Sequence, residues 1–225
     1  MARRFELEAP SFSLLSPQWR WFWQGFGIMI GGQALMSLTV IIDQFYAVSL
    51  GTGSIATLGY ANRILALILG LAAVAVSRAT LPIFSQARPG GAGTIHSVAT
   101  YWARMMFMVG IAVMAISYVL APWAVKLLFE HGQFSPRDTL IVTQVLRYSL
   151  PQLPFYFSCM VLVSYALSQR RYTLVFWSGV LGCAGKILGN LLLVPLLGIN
   201  GIALGAIVVY GLNALLFWLP IKRST

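Results

Sequence analysis

Residues 42–63, IDQFYAVSLGTGSIATLGYANR, decide how the rest of the chain is read. They place an acid, Asp43, and a base, Arg63, inside two long apolar segments joined by the uncharged turn at residues 51–54, GTGS. Segments this apolar read as membrane helices, and an ionisable residue inside a membrane helix points to a functional site.

Composition supports the membrane reading. Of the 225 residues, 59% are hydrophobic and only 9% charged, where soluble domains hold about 45–50% and about 25%. The seven Trp and nine Tyr suit the two bilayer interfaces. The net charge of +10 would point to nucleic acid in a soluble protein, but here the basic residues stand singly or in pairs between apolar runs. They read as loop anchors, so no nucleic-acid partner is expected.

The expected class is an all-α polytopic membrane protein. A polar lead covers residues 1–20, and six spans follow at about 21–50, 55–86, 98–120, 136–168, 172–193 and 202–220, with a tail at 221–225. No cleavable signal peptide is expected, because residues 1–20 lack an apolar core of the required length. Residues 87–97, ARPGGAGTIHS, read as a flexible loop, and residues 121–132 as an amphipathic interfacial stretch. In FSPRDT, Ser135 is placed to cap the fourth span, with Pro136 at its first position and Asp138 at its positive end. Pro151 and Pro154 are expected to kink that span.

Six spans put both termini on one side. Arg3, Arg4, Arg20, Arg88, Arg170, Arg171, Lys222 and Arg223 lie there, with Arg78 and Arg104 at its border, against Lys126 and Arg137 on the other side. The positive-inside rule then makes both termini cytoplasmic, with Arg78 and Arg104 as interface anchors.

Three charges fall in the outer half of the bilayer. At the helical rise, Asp43 and Arg63 each lie roughly 10 Å, and Lys186 about 13 Å, from the outer ends of their spans. A charge at the bilayer centre costs about 2.5–3.5 kcal/mol even on the lenient insertion scale. Asp43 can pair with Arg63 or with Lys186, and the base left over needs a water-filled cavity or an anionic ligand. The plainer reading is a buried network that only sets helix packing. Arg147, about a turn before Pro151, is a cavity-lining candidate or a side chain that snorkels to the outer surface.

No catalytic grouping accompanies these charges. Paired carboxylates, a nucleophile with its base, a phosphate-binding loop and metal-ligand spacing are all missing from the sequence. Cys159 and Cys183 read as buried inert thiols, and His96 and His131 as loop residues, so neither enzyme activity, metal nor cofactor is expected.

Residues 42–64 together with LGLAAVAVSRATLPIFSQ, LFEHGQFSPRDT and GNLLLVPLLGINGIALGAIVVYGLNALLF resemble, in order, the C-terminal half of the MviN/MurJ-type lipid II flippases of the MOP exporter superfamily. The resemblance implies one six-helix lobe of a transporter built from two such lobes around a central cavity. It implies a role in peptidoglycan biosynthesis, cell-wall biogenesis and cell shape. There, an undecaprenyl-diphosphate-linked precursor moves from the inner to the outer leaflet of the bacterial inner membrane by alternating access. Arg63 matches the family's cavity arginine for the diphosphate, with Asn62 beside it. Asp43 matches the acid of a sodium site found in some members, and Asn190 one of its polar residues. Lys186 stands where Asn is frequent, and Ala206 where a hydroxyl is expected. The Lys186 ammonium is therefore expected to act as a tethered substitute for the ion, pairing with Asp43 and leaving Arg63 for substrate.

One copy forms half a cavity, so a complementary N-terminal lobe is the expected partner beside membrane lipids, with a second copy as the alternative. The competing functions are flipping of another polyprenyl-linked oligosaccharide and an inactive remnant or membrane scaffold. Arg63 disfavours export of an amphipathic cation.

Overall fold

The turn between the two charged segments depends on glycine. Gly51 and Gly53 have φ of +102° and +92°, a region that side chains with a Cβ rarely occupy. In the computed structural model, which describes residues 17–87, 91–132 and 134–222, this turn separates helix α1 (Pro17–Ser49) from α2 (Ser54–Ala87). There follow α3 (Gly91–Phe129), α4 (Pro136–Ser149), a 3-10 turn (Leu150–Gln152), α5 (Leu153–Ser168), α6 (Tyr172–Leu197) and α7 (Ile199–Lys222). The described residues are all-helical apart from connections. Six segments are long and apolar enough to cross a membrane: Gly25–Ser49, Ser54–Val76, His96–Phe129, Pro136–Ser168, Tyr172–Leu197 and Ile199–Trp218. Most of the expected polar lead, and residues 223–225 of the tail, lie outside the described residues, as do residues 88–90 of the expected loop.

The core sits on the fourth span, formed by α4 and α5 in series. In that span 56% of the apolar window is buried, against 6% in the first. Leu146, Leu150, Leu153 and Leu162 carry the core along its length, facing Val125 of α3 and Ile202 of α7. Ser135 caps its start as expected, and Asp138 closes the reciprocal capping box: the Asp138 amide donates to Ser135 Oγ at 3.3 Å, and the Ser135 amide donates to Asp138 Oδ2 at 2.9 Å. At Pro151 and Pro154 the chain passes through the 3-10 turn, because neither proline offers an N–H to the preceding helix.

Two helices run further than expected. The helix α3 begins at Gly91, so residues 91–97 of the expected loop, His96 among them, are helical, and it does not stop near residue 120 but continues to Phe129, taking in Pro122. A proline inside a helix leaves the carbonyl four residues earlier without its donor, here that of Tyr118. Arg147 supplies one: its Nε donates to the Tyr118 carbonyl at 3.3 Å, and its guanidinium lies 4.6 Å from the centre of the Tyr118 ring. Arg147→Ala is expected to lower stability by about 1–2 kcal/mol, by loss of a charged hydrogen bond and a stacked ring, with Arg147→Lys recovering only part. Thermal unfolding in detergent micelles checks this; an unchanged midpoint for the alanine variant would remove Arg147's structural role. Likewise α6 passes Pro195 and ends at Gly198, whose φ of +57° lets α7 begin at once.

The tertiary arrangement pairs α1 with α6, α6 with α7, and α3 with α5, while α2 lies against α4 and α5. The first two spans are neighbours in sequence but not the main partners of each other. Small residues set the close approach of α1 to α6, since a Cβ on Gly179 would lie 2.6 Å from the Gly32 carbonyl oxygen. At the α6–α7 contact, a Cβ on Gly189 would lie 3.2 Å from Gly205 Cα.

Candidate functional site

Because α1 packs on α6, Asp43 meets Lys186 and Asn190 of that helix. Lys186 and Asn190 are four residues apart and so share a helix face. Lys186 Nζ lies 2.9 Å from Asp43 Oδ2, and Asn190 Nδ2 donates to Asp43 Oδ1 at 3.0 Å. Each carboxylate oxygen thus has its own donor. The ammonium also donates to the Ile202 carbonyl at 3.1 Å, which ties α1, α6 and α7 together at one point. Lys186 is 3% exposed and Asn190 0%. A buried pair with this geometry is the arrangement in which mutual attraction offsets desolvation. Of the two bases that the sequence leaves open as partners of Asp43, the structure places Lys186 there.

Glycine makes room for the cluster. A Cβ at Gly205 would lie 2.7 Å from Asn190 Oδ1, an atom that is buried and has no hydrogen-bond partner in the structure. Asp43 and Lys186 of the cluster line a cavity of about 300 Å³, together with Asn62, Gln152, Ser149 and Ala206. Ala206 brings no hydroxyl to this lining. The position where a cation would bridge Asp43 and Asn190 is bordered by the lysine ammonium instead, so these residues do not fit a metal ion as a resident group. Among the described residues no group of three His, Cys, Asp or Glu side chains is placed to hold a metal ion.

Arg63 stands apart from this cluster. It is exposed on α2, with its guanidinium 5.5 Å from the centre of the Tyr60 ring, and it forms no ion pair among the described residues. Asn62, its neighbour, turns to the cavity wall, whereas Arg63 does not line that cavity. Arg147 is held on α3 through Tyr118, away from the cavity lining. Tyr60, the Ile202 carbonyl, Ser149 and Gln152 were not foreseen as parts of the site. The i, i+3 spacing of Tyr60 and Arg63 was a usable signal for the first. The others depend on which helix packs where.

A lobe of six apolar helices with an ion pair held inside it is that of a multi-pass α-helical membrane protein. Among solved structures the chain superposes on a lipid II flippase MurJ in an inward closed conformation, with TM-score 0.74 and 22% identity over 85% of this chain and 41% of that one. It superposes on an outward-facing MATE family transporter of the MOP superfamily with TM-score 0.68 and 16% identity, over 88% and 44%. The family model "Lipid II flippase MurJ" matches residues 1–225, and the chain belongs to that family. A probable lipid II flippase MurJ of Helicobacter pylori (strain J99) is 35% identical over 191 residues, 81% of this chain and 40% of that protein. One from Rhizobium meliloti (strain 1021) is 31% identical over 171 residues, 74% and 31%. The chain therefore spans less than half the length of these curated relatives, and it is a multi-pass membrane protein of their kind.

Proposed function

We propose that the chain is the C-terminal lobe of a flippase that carries an undecaprenyl-diphosphate-linked peptidoglycan precursor across the bacterial inner membrane, with both termini cytoplasmic and no chemistry performed on the substrate. The observation that carries this reading is the guanidinium of Arg63: Asp43 is engaged by Lys186 and Asn190, so Arg63, exposed on α2 against the Tyr60 ring, has no acid partner among the described residues. A diphosphate is the complementary ligand, because its oxygens accept the parallel N–H bonds of an arginine fork. In this reading Asp43, Lys186 and Asn190 form an internal cation-filled site that locks α1 to α6, while Asn62 contributes to the cavity wall. A complementary N-terminal lobe supplies the other half of the substrate cavity.

Complementation of flippase-depleted cells tests this. Growth is expected when the chain is coexpressed with the first lobe of a family member, and not with either lobe alone. Failure of the coexpressed pair, with both lobes present in the membrane, would favour an inactive remnant or scaffold. Rescue by this chain alone would favour a second copy as the partner.

A further inference from the structure

A groove of about 570 Å³ runs between α3, α5 and α7, remote from the charged cluster. Its walls are apolar except at two places, Ser158 and Arg104. Small side chains hollow it out: Ala103 on α3, with Gly211 and Ala214 on α7. A Cβ at Gly211 would meet no heavy atom within 4 Å, so this glycine is not needed for helix contact and leaves the slot open. In its wall, one helical turn from Arg104, Phe107 meets Phe155 edge to face, with centroids 5.4 Å apart. The guanidinium of Arg104 lies 5.4 Å from the centre of the Trp218 ring. The span from Trp218 to Gly211 along α7 is about 10 Å at the helical rise. Exposed Met108 and Leu215, at 65% and 61%, flank the opening.

No carboxylate among the described residues answers Arg104. Asp43 is paired with Lys186, Glu130 is 3.9 Å from Lys126 and accepts from Thr139, and Asp138 is bonded to Ser135. The groove thus offers one fixed cation, steadied by an aromatic ring, at the mouth of a narrow apolar slot flanked by exposed apolar side chains. A guanidinium takes a phosphate oxygen pair, and an apolar slot takes a hydrocarbon chain. An occupant satisfying both must carry a net negative head and a tail within the bilayer. A zwitterionic lipid brings its own ammonium and gains less from a lone arginine.

We propose that the α3–α5–α7 groove is a binding site for one anionic phospholipid, with its phosphate on Arg104 beside Trp218 and an acyl chain lying past Phe107 and Phe155 toward Gly211. The site does not depend on the substrate assigned above. It gives Arg104 a specific ligand rather than a general anchoring role.

Native mass spectrometry of the full chain, released from micelles supplied with phosphatidylglycerol or phosphatidylcholine, tests this. Retention of a single phosphatidylglycerol is expected, favoured over phosphatidylcholine about five-fold, the scale of one basic residue at an anionic surface. Arg104→Gln is expected to erase the preference. Gly211→Leu is expected to reduce retention of both lipids by filling the slot, with Ala214→Leu doing the same should the first variant not fold. Equal retention of the two lipids by the native chain, or an unchanged preference in Arg104→Gln, would overturn the proposal. Displacement of phosphatidylglycerol by excess inorganic phosphate would do so as well, by showing a phosphate site without a tail.

Discussion

Arg63→Ala, in a complete transporter containing this lobe, is expected to cut flipping of the diphosphate-linked precursor by about 100-fold or more. The reasoning follows from what the side chain touches. Arg63 is exposed and stacked against Tyr60, with no acid paired to it among the described residues. Two charge-assisted hydrogen bonds to phosphate oxygens, at about 1.5–3 kcal/mol each, account for a loss of that size. Arg63→Lys keeps the charge and loses the planar fork, so an intermediate loss of about ten-fold is expected. Tyr60→Leu removes only the stacking, about 0.5–1 kcal/mol, and is expected to cost a few-fold. The readout is the appearance of precursor at the outer face of cells or vesicles, with thermal unfolding showing that each variant is folded. Full transport by folded Arg63→Ala would end the assignment of the diphosphate to this residue.

The second large effect is expected at Lys186. Its ammonium is buried between Asp43 and the Ile202 carbonyl, so Lys186→Met leaves the Asp43 carboxylate with Asn190 as its remaining partner. Breaking a buried pair from one side costs about 3–5 kcal/mol. The double variant Asp43→Asn with Lys186→Met removes both charges and is expected to recover much of that loss. Lys186→Asn is the more telling change. It opens the space now filled by the ammonium while keeping Asp43 and Asn190 in place, so sodium is expected to stabilise the variant against heat through preferential binding to the folded state. The native chain is expected to show no difference between sodium and choline chloride. A sodium-specific stabilisation of the native chain would defeat the idea that Lys186 replaces the ion.

Much of this protein was legible before any coordinates. Long apolar runs mark membrane helices because an unpaired backbone cannot cross a bilayer, and the six spans appear in the structure in that order. The glycine turn and the Ser135–Asp138 cap are local devices, set by residues within a few positions of each other. Helix ends were less legible where a proline intervened. The third span is expected to end near residue 120, yet α3 continues through Pro122, and Arg147, 29 positions from Tyr118, bonds the carbonyl that the proline orphans. The same contact explains why Arg147 looked ambiguous between cavity and surface.

By itself the sequence determined that the chain is a six-span membrane protein, that Asp43, Arg63 and Lys186 fall at similar depth, and that one acid cannot neutralise two bases. Which base remains open was decided only by tertiary structure. Depth follows from position along each helix, whereas pairing depends on which helices touch. Here α1 lies on α6 through Gly32 and Gly179 rather than mainly on its sequence neighbour α2, bringing Lys186 to within 2.9 Å of Asp43 while Arg63 stays exposed.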